Sequence, residues 1–239
     1  MKALAYLLKA RALAPASVPI LVQFGRVCLQ RDLGQDALDA LAIAYRADST
    51  NREALYLLAA AHITVEKYEE SYRLLTEFAR QESNNPTVYH SLGWLDLKLN
   101  RPDAARLHFE RALQLAPSFP TALMELAELD LNAGQLDRSE QRVLKVLQQK
   151  PESARAYVIL GDITSQRGDI ESAQARYQTA IRYEPELAAA HSKLARILFR
   201  KRDVEGGSRE QKLAADLQER GKKQSRQALR LAGMDSSVP

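Results

Sequence analysis

Apolar positions along this chain fall into two alternating stripes that return together after a fixed interval. From Pro86 the frame reads Tyr89, Leu92 and Gly93, then Ala105, Phe109, Ala112 and Pro117. It comes back as Leu123, Leu126, Ala127, Ser139, Val143, Val146 and Pro151. A third copy reads Tyr157, Leu160, Gly161, Ala173, Tyr177, Ala180 and Pro185. Pro117, Pro151 and Pro185 stand 34 residues apart, and Pro15 lies three such periods before Pro117. A fixed period of this length predicts a stacked-repeat architecture.

Numbered from the first residue of each copy, positions 4, 7, 8 and 11 fall on one face of a 3.6-residue helix, and positions 20, 24 and 27 fall on one face of a second. Small residues at 8 and 20 (Gly93 with Ala105, Gly161 with Ala173) let the paired helices approach closely. Proline at 32 cannot continue the second helix and turns the chain into the next pair. One pair cannot bury its apolar face alone, so neighbours must stack. Ala and Leu abound and runs of β-branched residues are absent, which predicts an all-α fold.

The frame resembles the tetratricopeptide repeat (TPR), whose pattern is W-x2-L-G-x2-Y, then A-x3-F, then P. Pro86–Phe119 matches at seven of its eight diagnostic positions; Asp96, where the family has Tyr, departs from it. The resemblance implies a right-handed superhelical solenoid of antiparallel helix hairpins and a non-catalytic protein-binding role. It also implies that the first helices line a concave groove through positions 2, 5, 9, 12 and 13.

In order, residues 1–17 read as the second helix of a truncated repeat: Ala3, Leu7, Ala10 and Pro15 occupy positions 20, 24, 27 and 32. The chain is therefore expected to be a fragment of a longer repeat protein. Full repeats follow at 18–51, 52–85, 86–119, 120–153 and 154–187, as one continuous stack. Ser49 and Ser83 replace the closing proline of the first two, with Asn51 and Asn85 beside them as turn and cap residues. Residues 188–221 read as a degenerate capping repeat, because Gly206 and Gly207 enter its second helix and Gln211 takes the aromatic place. Gly221 is expected to end that helix. Residues 222–239 read as a short basic helix and a tail, frayed from Met234.

Composition changes this picture little. Charged residues make up 27%, and the formal charge is +4. The excess is local: from Ala188 onward there are 12 Lys and Arg against 6 Asp and Glu, leaving 22 against 24 before it. That end reads as a solvated cap, since it lacks the interleaved aromatics of a nucleic-acid surface. No apolar run reaches the roughly 18 residues of a membrane span. The apolar start Ala3–Leu8 is broken by Lys9 and Arg11, so no convincing signal peptide appears and a cytoplasmic location is favoured unless an upstream region carries a signal. Cys28, the single cysteine, and His62 occupy core positions. The four histidines offer no pair at metal spacing, Gly206-Gly207 lacks a phosphate-loop context, and Glu125, Glu128 and Asp130 read as a solvated face. No catalytic, metal or cofactor site is expected, and no small-molecule substrate.

The groove implied by the resemblance supplies the candidate site: Val22, Arg26, Tyr56, Ala60, Ile63, His90, Trp94, Leu97, Lys98, Met124, Glu128, Asp162 and Arg196. It grades from aromatic through acidic to basic, and docking is expected around Tyr56, His90 and Trp94. None of the residue pairs at positions 5 and 9 supplies the Lys with Asn that the family's carboxylate clamp for chaperone tails needs, so that clamp is rejected. The expected partner is another protein or a peptide segment, with self-association through the N-terminal half repeat as an addition. One alternative is a structural module of a larger enzyme or secretion machine. The other, an RNA-binding helical array, is disfavoured, because such arrays run at 35 residues without proline at position 32.

Overall fold

The computed structural model describes residues 2–231, with side chains described over 4–223. Among the described residues it contains helices and no strands. The first unit, Met1–Pro117, holds α1 (Lys2–Leu13), α2 (Val18–Leu29), α3 (Gly34–Ala47), α4 (Arg52–Thr64), α5 (Tyr68–Gln81), α6 (Pro86–Lys98) and α7 (Pro102–Leu115). The second, Ser118–Pro239, holds α8 (Pro120–Asn132), α9 (Leu136–Gln149), α10 (Ala154–Gln166), α11 (Ile170–Tyr183), α12 (Ala188–Arg200) and α13 (Val204–Leu231). The fold is an all-α helical-repeat solenoid. The chain divides at Pro117 where the sequence suggested one continuous stack; in a repeat array each pair touches only its neighbours, so compactness is local.

The helices start in register. First helices begin at Val18, Arg52, Pro86, Pro120, Ala154 and Ala188, and second helices at Gly34, Tyr68, Pro102, Leu136, Ile170 and Val204, each series spaced by 34. Each first helix packs against its own second helix. Their apolar stripes form the buried clusters, such as Leu21, Phe24 and Leu41 under α2 and α3, and Leu55, Leu75, Phe78 and Leu92 among α4, α5 and α6.

The turn inside each pair is equally regular. Asp32, Glu66, Asn100, Gly134, Gly168 and Arg202 all have φ between 57° and 86°, and all occupy position 15. The next backbone N–H reaches back to the carbonyl of position 11: Leu33 to Cys28 at 2.9 Å, Arg101 to Asp96 at 2.7 Å, Gln135 to Asp130 at 2.8 Å. This is the Schellman closure of a helix C-terminus, which satisfies carbonyls that the helix leaves without partners. The sequence frame did not include position 15. Its side chains share only a backbone conformation, and just two of the six are glycine. At the other ends, Asn51 accepts from Ala54 N–H at 2.9 Å and Asn85 from Thr87 N–H at 3.0 Å, capping α4 and α6.

Position 8 meets position 24 more directly than position 20. A Cβ at Gly93 would lie 2.7 Å from the Phe109 ring, one at Gly161 2.4 Å from Tyr177, and one at Gly25 2.4 Å from Leu41. Where position 8 is alanine (Ala59, Ala127), position 24 is Leu75 or Val143. The large side chain therefore fills the space that the missing Cβ leaves. Close approach at position 20 also holds, since Ser139 Oγ donates to the Ala127 carbonyl at 2.7 Å.

The C-terminal end differs from expectation. α13 runs without interruption through Gly221 to Leu231. A single glycine costs a helix only about 1 kcal/mol, and no proline follows to stop it. Gly206 and Gly207 are buried, and a Cβ at Gly207 would lie 2.7 Å from the Phe199 ring, so Gly207 lets α13 approach α12, while Gly206 sits against the Asp203 carboxylate that accepts its N–H. His191, 4% exposed, ties the two together: Nε2 faces the Pro185 carbonyl at 2.9 Å and Nδ1 faces Glu210 at 2.6 Å. The expected fraying from Met234 lies outside the described residues.

Gly161→Ala should lower stability by about 1–3 kcal/mol, because the Tyr177 ring it strikes is itself buried and hydrogen-bonded. The loss should outweigh the roughly 1 kcal/mol that alanine gains over glycine in a helix. The urea midpoint measures it, and an unchanged or raised midpoint would contradict this account of the crossing.

Candidate functional site

The expected groove residues take several different environments. Val22 and Met124 are 3% and 5% exposed, so these two belong to the core and not to a binding surface. Position 5 borders the apolar stripe, and an aliphatic side chain there turns inward between neighbouring helices. In the first unit Arg26 pairs with Glu53 on the next first helix. Tyr56 packs on Phe78 with ring centroids 5.2 Å apart, and His90 on Phe109 at 5.6 Å. Trp94 is half-buried; Tyr68 stands edge-on to it at 6.0 Å, and Lys98 Nζ lies 5.0 Å above its ring. Ala60, Ile63 and Leu97 are half-buried, Lys98 exposed.

In the second unit the first helices carry charges that meet across successive pairs. Glu128 and Glu125 on α8 both hold Arg155 on α10, at 2.8 and 3.1 Å. Of the three carboxylates read as a solvated face, Asp130 is buried and Glu125 mostly so, while Glu128 stays half-exposed. Burial alone would lower the Arg155 pKa, but the two glutamates override it and raise the value. Asp130 is fully buried and pairs with Arg142 on α9. One period earlier the same two positions hold Asp96 and His108, with Nδ1 2.7 Å from Oδ2. Asp162 accepts from the Tyr177 hydroxyl at 2.8 Å and from Lys193 Nζ at 2.7 and 2.9 Å. Burial first, and then Asp162, push the Tyr177 hydroxyl well above its ordinary range, so it remains a protonated donor.

These pairs border two cavities. The larger, about 570 Å³, is lined by Glu128, Asn132, Arg155, Val158, Ile159, Asp162, Glu184, Leu187, Ala189 and Lys193. Its floor is aliphatic, and on its charged rim Glu128 pairs with Arg155 and Asp162 with Lys193, while Glu184 is exposed. The smaller, about 260 Å³, lies behind Asp162 and Lys193 and is lined also by Ser165, Gln166, Tyr177, Arg196, Ile197 and Arg200. Glu128, Asp162 and Arg196 are thus brought to neighbouring cavities. Arg155, Lys193 and Tyr177, which also line these cavities, are absent from the candidates that the sequence supplies. Spacing could have found the first two: Glu128–Arg155 (27 apart) and Asp162–Lys193 (31 apart) each join position 9 to the next repeat's first helix, as Arg26–Glu53 does.

Among the described residues no group of three or more metal-ligating side chains stands together, and no helix is long and apolar enough to cross a membrane. His62 packs half-buried in α4, and burial lowers its pKa.

A family model described as tetratricopeptide repeat matches residues 96–162, and a second, described as TPR repeat, matches residues 161–201. Among solved structures, a TPR protein from Parabacteroides merdae is 18% identical, covering 90% of this chain and 85% of its own, with a TM-score of 0.73. YrrB, described as a TPR protein with an unusual peptide-binding site, is 22% identical over 77% of this chain and 95% of its own, with a TM-score of 0.61. MamA from Desulfovibrio magneticus RS-1 is 23% identical over 71% and 96%, with a TM-score of 0.62. The curated proteins compared give no match.

The two kinds of ion pair separate on substitution. Arg142→Met, which removes the ion-pair partner of the buried Asp130, should cost about 3 kcal/mol. Arg155→Ala, at a half-exposed pair, should cost under about 1 kcal/mol. Urea unfolding of both variants measures the contrast, and equal losses would contradict it.

Proposed function

The chain belongs to the tetratricopeptide-repeat family, and from that premise we propose that it is a non-catalytic scaffold that binds an extended segment of a partner protein along its first helices. The observation that carries this reading is the 570 Å³ cleft walled by α8, α10 and α12. A ligand site is typically a concave space of roughly 300–1,000 Å³ with an apolar lining and a few placed polar groups. Val158, Ile159, Leu187 and Ala189 supply the lining, and the Glu128–Arg155 and Asp162–Lys193 pairs supply the polar rim. Because Glu128, Arg155, Asp162 and Lys193 pair with one another and Glu184 is exposed to solvent, the cleft admits apolar side chains without leaving a buried charge alone.

The cleft supports docking better than the neighbourhood of Trp94, whose ring is engaged by Tyr68 and Lys98. A rigid groove of packed helices also favours binding, because little conformational freedom is lost when the guest arrives. That YrrB is a TPR protein with an unusual peptide-binding site is in keeping with this reading.

The test fills the cleft from its rim. Ala189 is exposed, so Ala189→Arg should leave helix content and melting temperature unchanged. Peptides selected by the wild-type chain from a random display library should bind this variant at least tenfold more weakly, about 1.4 kcal/mol. Undiminished affinity would remove the cleft as the binding site.

A further inference from the structure

We propose that the smaller cavity, between α10, α11 and α12, is an anion subsite that takes the carboxylate of an Asp or Glu side chain from the partner segment lying in the adjacent cleft. This rests on the cleft reading and adds the chemistry of the guest.

The first ground is charge. Three cations, Lys193, Arg196 and Arg200, line the cavity with one carboxylate, Asp162. That carboxylate is already held by Lys193 at 2.7 and 2.9 Å and by the Tyr177 hydroxyl at 2.8 Å. Arg196 and Arg200 are exposed, and neither lies within ion-pair distance of a carboxylate among the described residues, so both are open to an anion from outside. The two free guanidiniums stand four residues apart on one face of α12. Like charges at that spacing repel, and a shared anion removes the repulsion. Arginine forks also bind carboxylates in bidentate fashion.

The second ground is geometry. At about 260 Å³ the cavity falls below the size of a typical small-molecule site, yet exceeds several water volumes of roughly 30 Å³ each. It accommodates one side chain. Ser165 and Gln166 add neutral donors on the α10 side. Asp162 and Lys193 form a wall common to both cavities, so an apolar residue in the cleft and an acid in the pocket can be near neighbours on one segment. A nucleic-acid strand would need a run of cations with stacking faces along it, whereas here a single pocket adjoins an aliphatic cleft.

The experiment pans a phage-displayed random dodecapeptide library on the full chain and on its Arg196→Gln/Arg200→Gln variant, then measures the selected peptides by fluorescence polarisation. Wild-type selection should enrich apolar residues with an Asp or Glu nearby. Such a peptide should bind the double variant at least tenfold more weakly, and should lose a similar factor when its acid is changed to Gln or Asn. Selected peptides without an acidic preference, or acidic ones held equally well by the double variant, overturn the pocket while leaving the cleft standing. Failure to select any peptide overturns both. A labelled oligouridylate that binds the wild type more tightly than any selected peptide, and loses that binding in the double variant, reassigns the pocket to phosphate and overturns the peptide proposal.

Discussion

The crossing of three helix pairs rests on one steric exchange: the side chain at position 24 occupies the space that a glycine at position 8 leaves open. Phe109 over Gly93 and Tyr177 over Gly161 do this with rings, Leu41 over Gly25 with a branched chain. Interiors are packed as densely as organic crystals, so the exchange leaves no slack. It fixes how closely the second helix can lie on the first. The rotation of the first helix about its own axis follows, and with it the set of side chains that reach the groove. Asp162 faces Lys193 and Tyr177 because Gly161, its neighbour, is pressed against the Tyr177 ring.

A second constraint keeps the pairs in phase. The left-handed residue at position 15 ends each first helix at the same point, whatever its identity. For Glu66 or Arg202 that conformation costs roughly 1–2 kcal/mol, which the closing hydrogen bonds and the packing they permit must offset. Backbone regularity is therefore maintained against side-chain preference at several turns. A shift of one residue in any of them would rotate the following helix by about 100° and move its apolar stripe off the core.

These constraints explain what the sequence discloses. Apolar stripes, closing prolines and Asn caps repeat because every pair must be built alike, so periodicity alone locates them. Position 15 escapes notice because it repeats a dihedral angle and not a residue type. Val22 and Met124 were misplaced because position 5 lies at the margin of the stripe, where an aliphatic side chain follows the core and a polar one follows solvent. The C-terminal end of α13 lies beyond the expected stop at Gly221 because a lone glycine is too weak a signal to stop a helix whose context continues it. Charge pairs between successive first helices become visible only after the period is applied, since their partners stand 27 or 31 residues apart.

What distinguishes one pair from the next is therefore carried by positions that the architecture leaves unspecified. Position 11 holds Cys28, His62, Asp96, Asp130 and Thr164 in turn, while its backbone carbonyl makes the same bond each time. Where an acid stands there it is buried, and a basic group on the second helix answers it: His108 for Asp96, Arg142 for Asp130. Exchanging one member alone would strand a charge, so such pairs can change only together. Groove positions lack that coupling when their partner lies in another molecule. Arg196 and Arg200, exposed on α12 with no carboxylate of the described residues within ion-pair distance, are left uncoupled in this sense by the fold. Solved structures that share the backbone at 18–23% identity accordingly inform the fold of this chain and leave its ligand to be read from those side chains.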